Sequence, residues 1–241
     1  MKLIKLLLIY SSIPFMAGCD EILNKKLDKH FPLNKKNSGQ AIIVSGTVPI
    51  NTEPKLSVRY ISNTCTAMHL NSDFIPTGRD AWNHSEEWDV QYKDSNKFET
   101  KIPLNGGGWC DWELSNITIG LIYTQHPLAK KDTKFYESGL ISVYINDMDR
   151  SRYSSEINVE NKIDYTPIFS TEYEEFIGDS SNITFLSPKG NYKYRLKLHS
   201  NNDGYVNYSP KLDASDIRKV FHNGKKKWTE YPNGEVKYEK K

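Results

Sequence analysis

Apolar residues in this chain recur at every second position, the period of an extended strand whose successive side chains point to opposite faces. Ile42, Val44 and Gly46 alternate with Ile43, Ser45 and Thr47. Leu56, Val58 and Tyr60 share one side of 55–62, and Ile117, Ile119, Leu121 and Tyr123 share one side of 111–123. Tyr192, Tyr194, Leu196 and Leu198 alternate in the same way. The chain is therefore expected to be mainly β. Turn residues punctuate these runs: Asn51-Thr52-Glu53-Pro54 follows the first strand, Lys93-Asp94-Ser95-Asn96 divides 90–104 into two strands, and Asn105-Gly106-Gly107-Gly108 precedes the long strand. A further strand reads over 139–145, whereas 66–90, with Pro76 and Gly78, reads as irregular. Together, 40–150 predicts an antiparallel β-sandwich. A second β-rich region is predicted over 151–241, with strands at 183–186, 192–198 and 205–208. Short helices are expected over 171–177, where Glu172, Glu174 and Glu175 cluster, and over 213–220, where Asp213 or Ser215 can cap.

The end of the chain carries the most specific local signal. Two Asn-Gly pairs, Asn223-Gly224 and Asn233-Gly234, predict hairpins that form a C-terminal meander. The first fits a two-residue loop with His222 facing Lys225 and Phe221 facing Lys226. In the second, Pro232 precedes Asn233, so a three-residue loop Pro232-Asn233-Gly234 is expected, with Glu230 opposite Val236 and Trp228 opposite Tyr238. A two-residue loop would split Trp228 from Val236 and Tyr238, so the apolar pattern selects the longer one. Phe221, Trp228, Val236 and Tyr238 then share a face, which is expected to pack on the rest of the domain.

The first residues follow different rules. Lys2 and Lys5 precede the apolar run Leu6-Leu7-Leu8-Ile9-Tyr10, which continues past Pro14 to Met16-Ala17-Gly18-Cys19. A charged head, an apolar body too short to span a bilayer and a small-residue exit fit a signal peptide over 1–18. The exit resembles the bacterial lipobox, in which an apolar residue and two small residues lead to a cysteine. That resemblance implies a diacylglyceryl thioether on Cys19, cleavage before it and acylation of the new amino group. It places the protein in the bacterial cell envelope, lipid-anchored and facing the periplasm, and Asp20 resembles a signal for retention at the inner membrane. Residues 19–39, rich in Lys and Asn, read as a mobile lipidated tether. Without 1–18 the chain has 223 residues with 30 basic and 30 acidic side chains, and this neutrality argues against nucleic acid as a partner.

With Cys19 lipidated, Cys65 and Cys110 remain, and in an oxidising compartment they are expected to bond. No His-Glu-x-x-His, Gly-x-Ser-x-Gly or phosphate-binding glycine loop occurs, and the six histidines are scattered. No catalytic residue, cofactor or metal is therefore expected, and the chain reads as a non-enzyme. The best-marked constellation is Gly106-Gly107-Gly108-Trp109-Cys110-Asp111-Trp112. Trp109 and Trp112 can pack near the bridged cysteine or act as binding anchors, and Trp82 and Trp88 are further candidate contacts.

Two family resemblances bear on these readings. Val44-Ser45-Gly46-Thr47-Val48 and Leu56-Ser57-Val58-Arg59-Tyr60, with a strand over 98–104, resemble transthyretin-like β-sandwich domains. The lipobox, the Ser45-Gly46-Thr47-Val48 strand, Cys65 and the Gly-Gly-Gly-Trp-Cys-x-Trp-x-Leu-Ser-Asn run from Gly106 to Asn116 together resemble enterobacterial lipoproteins encoded beside type VI secretion effectors. That resemblance implies an immunity protein whose protein partner is a secreted antibacterial toxin, often of lipase type. The alternative is an envelope assembly or structural lipoprotein that binds another envelope protein.

Overall fold

Where the sequence alternates, one face of the strand is buried. The computed structural model describes residues 30–146, 157–178, 182–188, 193–198 and 202–239. Their named elements are all strands: β1 Ala41–Thr47, β2 Thr52–Leu70, β3 Pro76–Glu87, β4 Lys97–Pro103, β5 Asn105–Gly107, β6 Trp112–Tyr123, β7 Thr133–Tyr136, β8 Ser138–Ile145 and β9 Ile157–Glu160. The later ones are β10 Lys162–Tyr165, β11 Ile168–Phe176, β12 Asn182–Pro188, β13 Lys193–Lys197, β14 Gly204–Tyr208, β15 Lys211–His222, β16 Lys227–Glu230 and β17 Val236–Tyr238. The fold is mainly β, as expected. The expected signal peptide, Cys19 and Asp20 lie outside the described residues.

The longest strands show the cause most directly. Leu56, Val58 and Tyr60 on β2 face Ile119, Ile117 and Leu114 on β6, and all six are buried. Ser115 has no partner across the ladder, so β6 carries one extra residue there. That bulge resets the phase, and both Trp112/Leu114 and Ile117/Ile119/Leu121 face inward.

Three mixed sheets result, not an antiparallel sandwich followed by a separate region. Their orders are β10-β14-β1-β4, β17-β16-β15-β11-β12-β7 and β3-β2-β6-β8-β13-β9, with β5 beside β6. Pairs among the strands up to β8 are antiparallel: β1 with β4, β2 with β3 and β6, β5 with β6, and β6 with β8. The parallel pairs all bring in a later strand, as when β14 joins β1 and β13 joins β8. Each sheet thus contains strands from both sides of position 150, and Leu33–Lys241 forms one compact unit. Buried hydroxyls tie the sheets together. Tyr60 on β2 donates to the Pro103 carbonyl at 2.7 Å, and Tyr123 on β6 shares a 2.6 Å bond with Thr171 on β11.

Both expected helices are strands. In β11 the residues Phe169, Thr171 and Tyr173 are buried, and this period of two overrides the helix propensity of the intervening glutamates. In β15 the Asp213 carboxylate accepts hydrogen bonds from the Ser215 N–H and hydroxyl without starting a helix. The register with β11 jumps from Phe169/Leu212 to Thr171/Ile217, so 213–216 bulge out of the ladder. The end of the expected tether is also ordered. Asn34 N–H donates to the Gly106 carbonyl at 2.8 Å, Asn37 Nδ2 donates to the Asn105 carbonyl at 2.8 Å, and Lys35 pairs with Glu86 at 2.7 Å.

The C-terminal meander forms with one register as expected and one shifted. Trp228 faces Tyr238 and Glu230 faces Val236 around the Pro232-Asn233-Gly234 loop. At the other turn Phe221 faces Trp228, not Lys226, and His222 faces Lys227, not Lys225. The loop there is Gly224-Lys225, because the Asn223 side chain accepts the Lys226 N–H at 2.9 Å. Phe221 and Trp228 consequently stack at 5.2 Å. The shared aromatic face is only partly covered, since Tyr238 is 68 % exposed.

Candidate functional site

The four tryptophans singled out in the sequence separate by burial. Trp112 and Trp88 are core residues. Trp112 packs beside the His84 ring at 5.9 Å, and Trp88 lies under the Lys35 ammonium at 5.1 Å. Trp82 on β3 is half-buried. Trp109 is 79 % exposed, on the turn between β5 and β6. Gly107 and Gly108 take φ of 57° and 75° there, and Asp111 takes 46°, so the chain reverses sharply around the indole. Gly107 N–H donates to Asn105 Oδ1 at 2.6 Å, which holds the turn from below.

Cys110 is bonded to Cys65 on β2, as the cysteine arithmetic predicted. This bond joins the Trp109 turn to the root of a feature that sequence reasoning took for an irregular segment. β2 runs on from Ile61, its last pairing with β6, to Leu70, and β3 returns from Pro76 beside it. The outer half of this hairpin is a two-stranded arm. Pro76 to Ala81 are all exposed, as are Asn63, Thr64 and Met68 on the other strand. At the root, Ser62 Oγ donates to the Cys110 carbonyl and accepts the Cys65 N–H at 2.8 Å. Along the arm, Arg79 Nε donates to Thr66 Oγ1 at 2.6 Å and its guanidinium also reaches the Thr66 carbonyl at 3.1 Å. Phe74 and Ile75, 69 % and 57 % exposed, stand at the tip, and Met68 is 58 % exposed. The local signal for this arm is the turn Asn71-Ser72-Asp73, whose asparagine accepts the N–H groups of Asp73 and Ile75 at 3.0 and 2.9 Å.

Electrostatics near the root are acidic and partly neutralised. Burial acts to raise the Glu86 pKa, but His84 and Lys35 outweigh it and hold the carboxyl below its usual range. No lysine occurs between Lys55 and Lys93, while Asp73, Asp80, Glu86, Glu87 and Asp89 all lie in that interval.

A cleft of about 220 Å³ elsewhere is lined by Ile50, Tyr123, His126, Thr171, Leu212 and Ile217 among others. Burial lowers the His126 pKa, and its Nδ1 accepts the Leu128 N–H at 3.2 Å, leaving the proton on Nε2. The lining contains no carboxylate or thiol to complete a catalytic set. Among the described residues no group of three or more His, Cys, Asp or Glu could hold a metal ion, and no helix is long and apolar enough to cross a membrane. Comparisons with family models, with curated proteins and with solved structures found no match to this chain.

Proposed function

We propose that this chain is a lipid-anchored protein of the bacterial envelope that binds and neutralises a secreted antibacterial effector in the periplasm, as an immunity protein. The observation that carries the protein-binding part is the exposed Trp109, on a turn bonded to the root of a projecting, apolar-tipped arm. Large rigid aromatics in such positions supply contact area at low conformational cost. The turn is also pre-organised by the Cys65–Cys110 bond and the Asn105 contact, which reduces what must be ordered on binding. The signal-like run over 1–18 and the lipobox-like Met16-Ala17-Gly18-Cys19 support export and anchoring from the sequence. Anchoring concentrates the binder where a toxin that attacks lipid or wall must pass.

Two experiments bear on it. A strain lacking the gene should be killed by sibling cells that deliver the effector, with protection restored by the wild-type gene and reduced by Trp109→Ala. Full resistance of the deletion strain would refute immunity. For anchoring, Cys19→Ser should abolish labelling by a fatty-acid analogue, and retained labelling would remove the lipid from the account.

A further inference from the structure

The loop at the tip of the β2–β3 arm has the same construction as the Pro232-Asn233-Gly234 loop, with one difference. In the C-terminal loop, Tyr231 N–H donates to the Glu235 carbonyl at 2.9 Å and Gly234 N–H to the Tyr231 carbonyl at 3.0 Å. In the arm, Asn71 N–H donates to the Ile75 carbonyl at 3.1 Å and Phe74 N–H to the Asn71 carbonyl at 3.0 Å. Both are three-residue loops whose last residue is left-handed, but that residue is Gly234 at φ 83° in one and Phe74 at φ 58° in the other. Glycine takes this conformation freely, whereas an aromatic side chain there is strained. Phe74 is also 69 % exposed, so burial within this fold returns little for that strain. Strained residues of this kind cluster at binding sites, where the surrounding structure holds them. Here the Asn71 side chain does so through two N–H groups.

We propose that Phe74, with Ile75 next to it in the chain, is the anchor by which the arm enters an apolar cleft of its protein partner, and that the rim of this cleft is basic. The inference rests on the protein-binding reading above. The arm is convex and narrow, so its complement is a cleft, not a flat surface. Its charge selects the rim. At the tip, over 71–76, Asp73 is the only charged residue, and Arg79 lies farther down the arm, bonded to Thr66. Trp109, near the root, is followed by Asp111 and Glu113. A bilayer bearing anionic lipids attracts tips that carry Lys or Arg, and this one is acidic.

The test places the photoreactive analogue benzoylphenylalanine at position 74 of the full-length chain in the producing cells, with positions 109 and 238 in parallel. The expected result is a discrete protein adduct at 74, mapped by peptide mass spectrometry to an apolar segment flanked by Lys or Arg, and none at 238. Against the partner identified in this way, Phe74→Gly in the full-length protein should weaken binding at least tenfold without lowering the melting temperature. Asp73→Lys should slow association and reduce its dependence on salt. A protein adduct at 109 with none at 74 would overturn the anchor and leave the protein-binding reading standing. So would unchanged affinity of Phe74→Gly. A phospholipid adduct at 74 would replace the protein cleft with the membrane. No protein adduct at any of the three positions would sink the anchor and the protein-binding reading together.

Discussion

At Gly46 the backbone of β14 lies where a side chain would begin, and adding one methyl group there should break the pairing of β1 and β14 locally. A Cβ on residue 46 would lie 1.8 Å from the Tyr208 carbonyl oxygen, 2.6 Å from its carbon and 3.2 Å from the Phe98 ring. A carbon–oxygen contact needs about 3.3 Å, so the two backbones must separate by about 1.5 Å. The obstacle is main chain, which cannot rotate away. Overpacking of this kind costs about 1–3 kcal/mol, and loss of one ladder hydrogen bond adds about 1 kcal/mol. Gly46→Ala should therefore destabilise the protein by about 2–4 kcal/mol. With a urea m-value of about 2–3 kcal/mol/M, the unfolding midpoint should fall by about 1 M. Gly78→Ala is the matched control, because a Cβ there meets nothing within 4 Å. If Gly46→Ala unfolds within about 0.5 kcal/mol of wild type in the same assay, the close approach of β1 and β14 is wrong.

The other predictions use the same fold. Trp112→Ala should cost about 3–5 kcal/mol while Trp109→Ala stays within about 0.5 kcal/mol in denaturant titration, since one indole is core and the other is exposed; equal costs would contradict their placement. Replacing both Cys65 and Cys110 by Ser should lower stability by up to about 4 kcal/mol, from a loop closed across a separation of 45 residues, and thiol counting on the unreduced wild type should find no free sulfhydryl from this pair. His126 is held below its ordinary pKa by burial, so the unfolded chain takes up a proton first as pH falls below about 6.5. Stability is full above that pH and declines beneath it, and His126→Asn should flatten that part of a pH–stability curve; an unchanged slope would assign it to other groups. Tyr208 is fully buried and its hydroxyl has no hydrogen-bond partner among the described residues, so Tyr208→Phe should be neutral or stabilise by up to about 1 kcal/mol, and a clear loss in thermal unfolding would reveal a partner.

What could be read from the chain depended on whether a segment has one buried face. β1, β6 and β14 were legible because Ile42/Val44, Ile117/Ile119/Leu121 and Val206/Tyr208 are buried while Ile43, Thr118 and Asn207 between them are partly exposed. The arm was not, because over 63–68 and 76–81 no side chain is fully buried, which leaves no alternation to detect. In β11 and β15 the local signals of glutamate and a capping aspartate competed with burial, and burial decided. Turn chemistry was legible at Gly234, where proline and glycine together select the three-residue loop. It misled at Asn223, whose side chain accepts the Lys226 N–H and shifts the two-residue loop to Gly224-Lys225. The parallel pairings left no mark on either strand, because register between distant segments is set by what each buries against the other sheets. Of the tryptophans, the pattern around Gly107-Gly108 pointed to Trp109 but could not tell it from Trp112. Only the bulge at Ser115 settles which of the two faces inward.

The parallel pairing of β1 with β14 also sets the order in which this chain can fold. Ala41 and Asp203, joined by a hydrogen bond at the start of that ladder, are 162 residues apart in sequence. β1 can pair early with β4, but its other edge stays open until nearly the whole chain is present. Contacts of such long range close slowly. The β2–β3 hairpin, its pairing with β6 and the Cys65–Cys110 bond need only residues 52–123 and can assemble first, before the later strands arrive to fill the edges of β1 and β8. A chain delivered from its N-terminus therefore passes through a stage with a formed nucleus and unfilled strand edges, and in that interval it is most prone to wrong pairing.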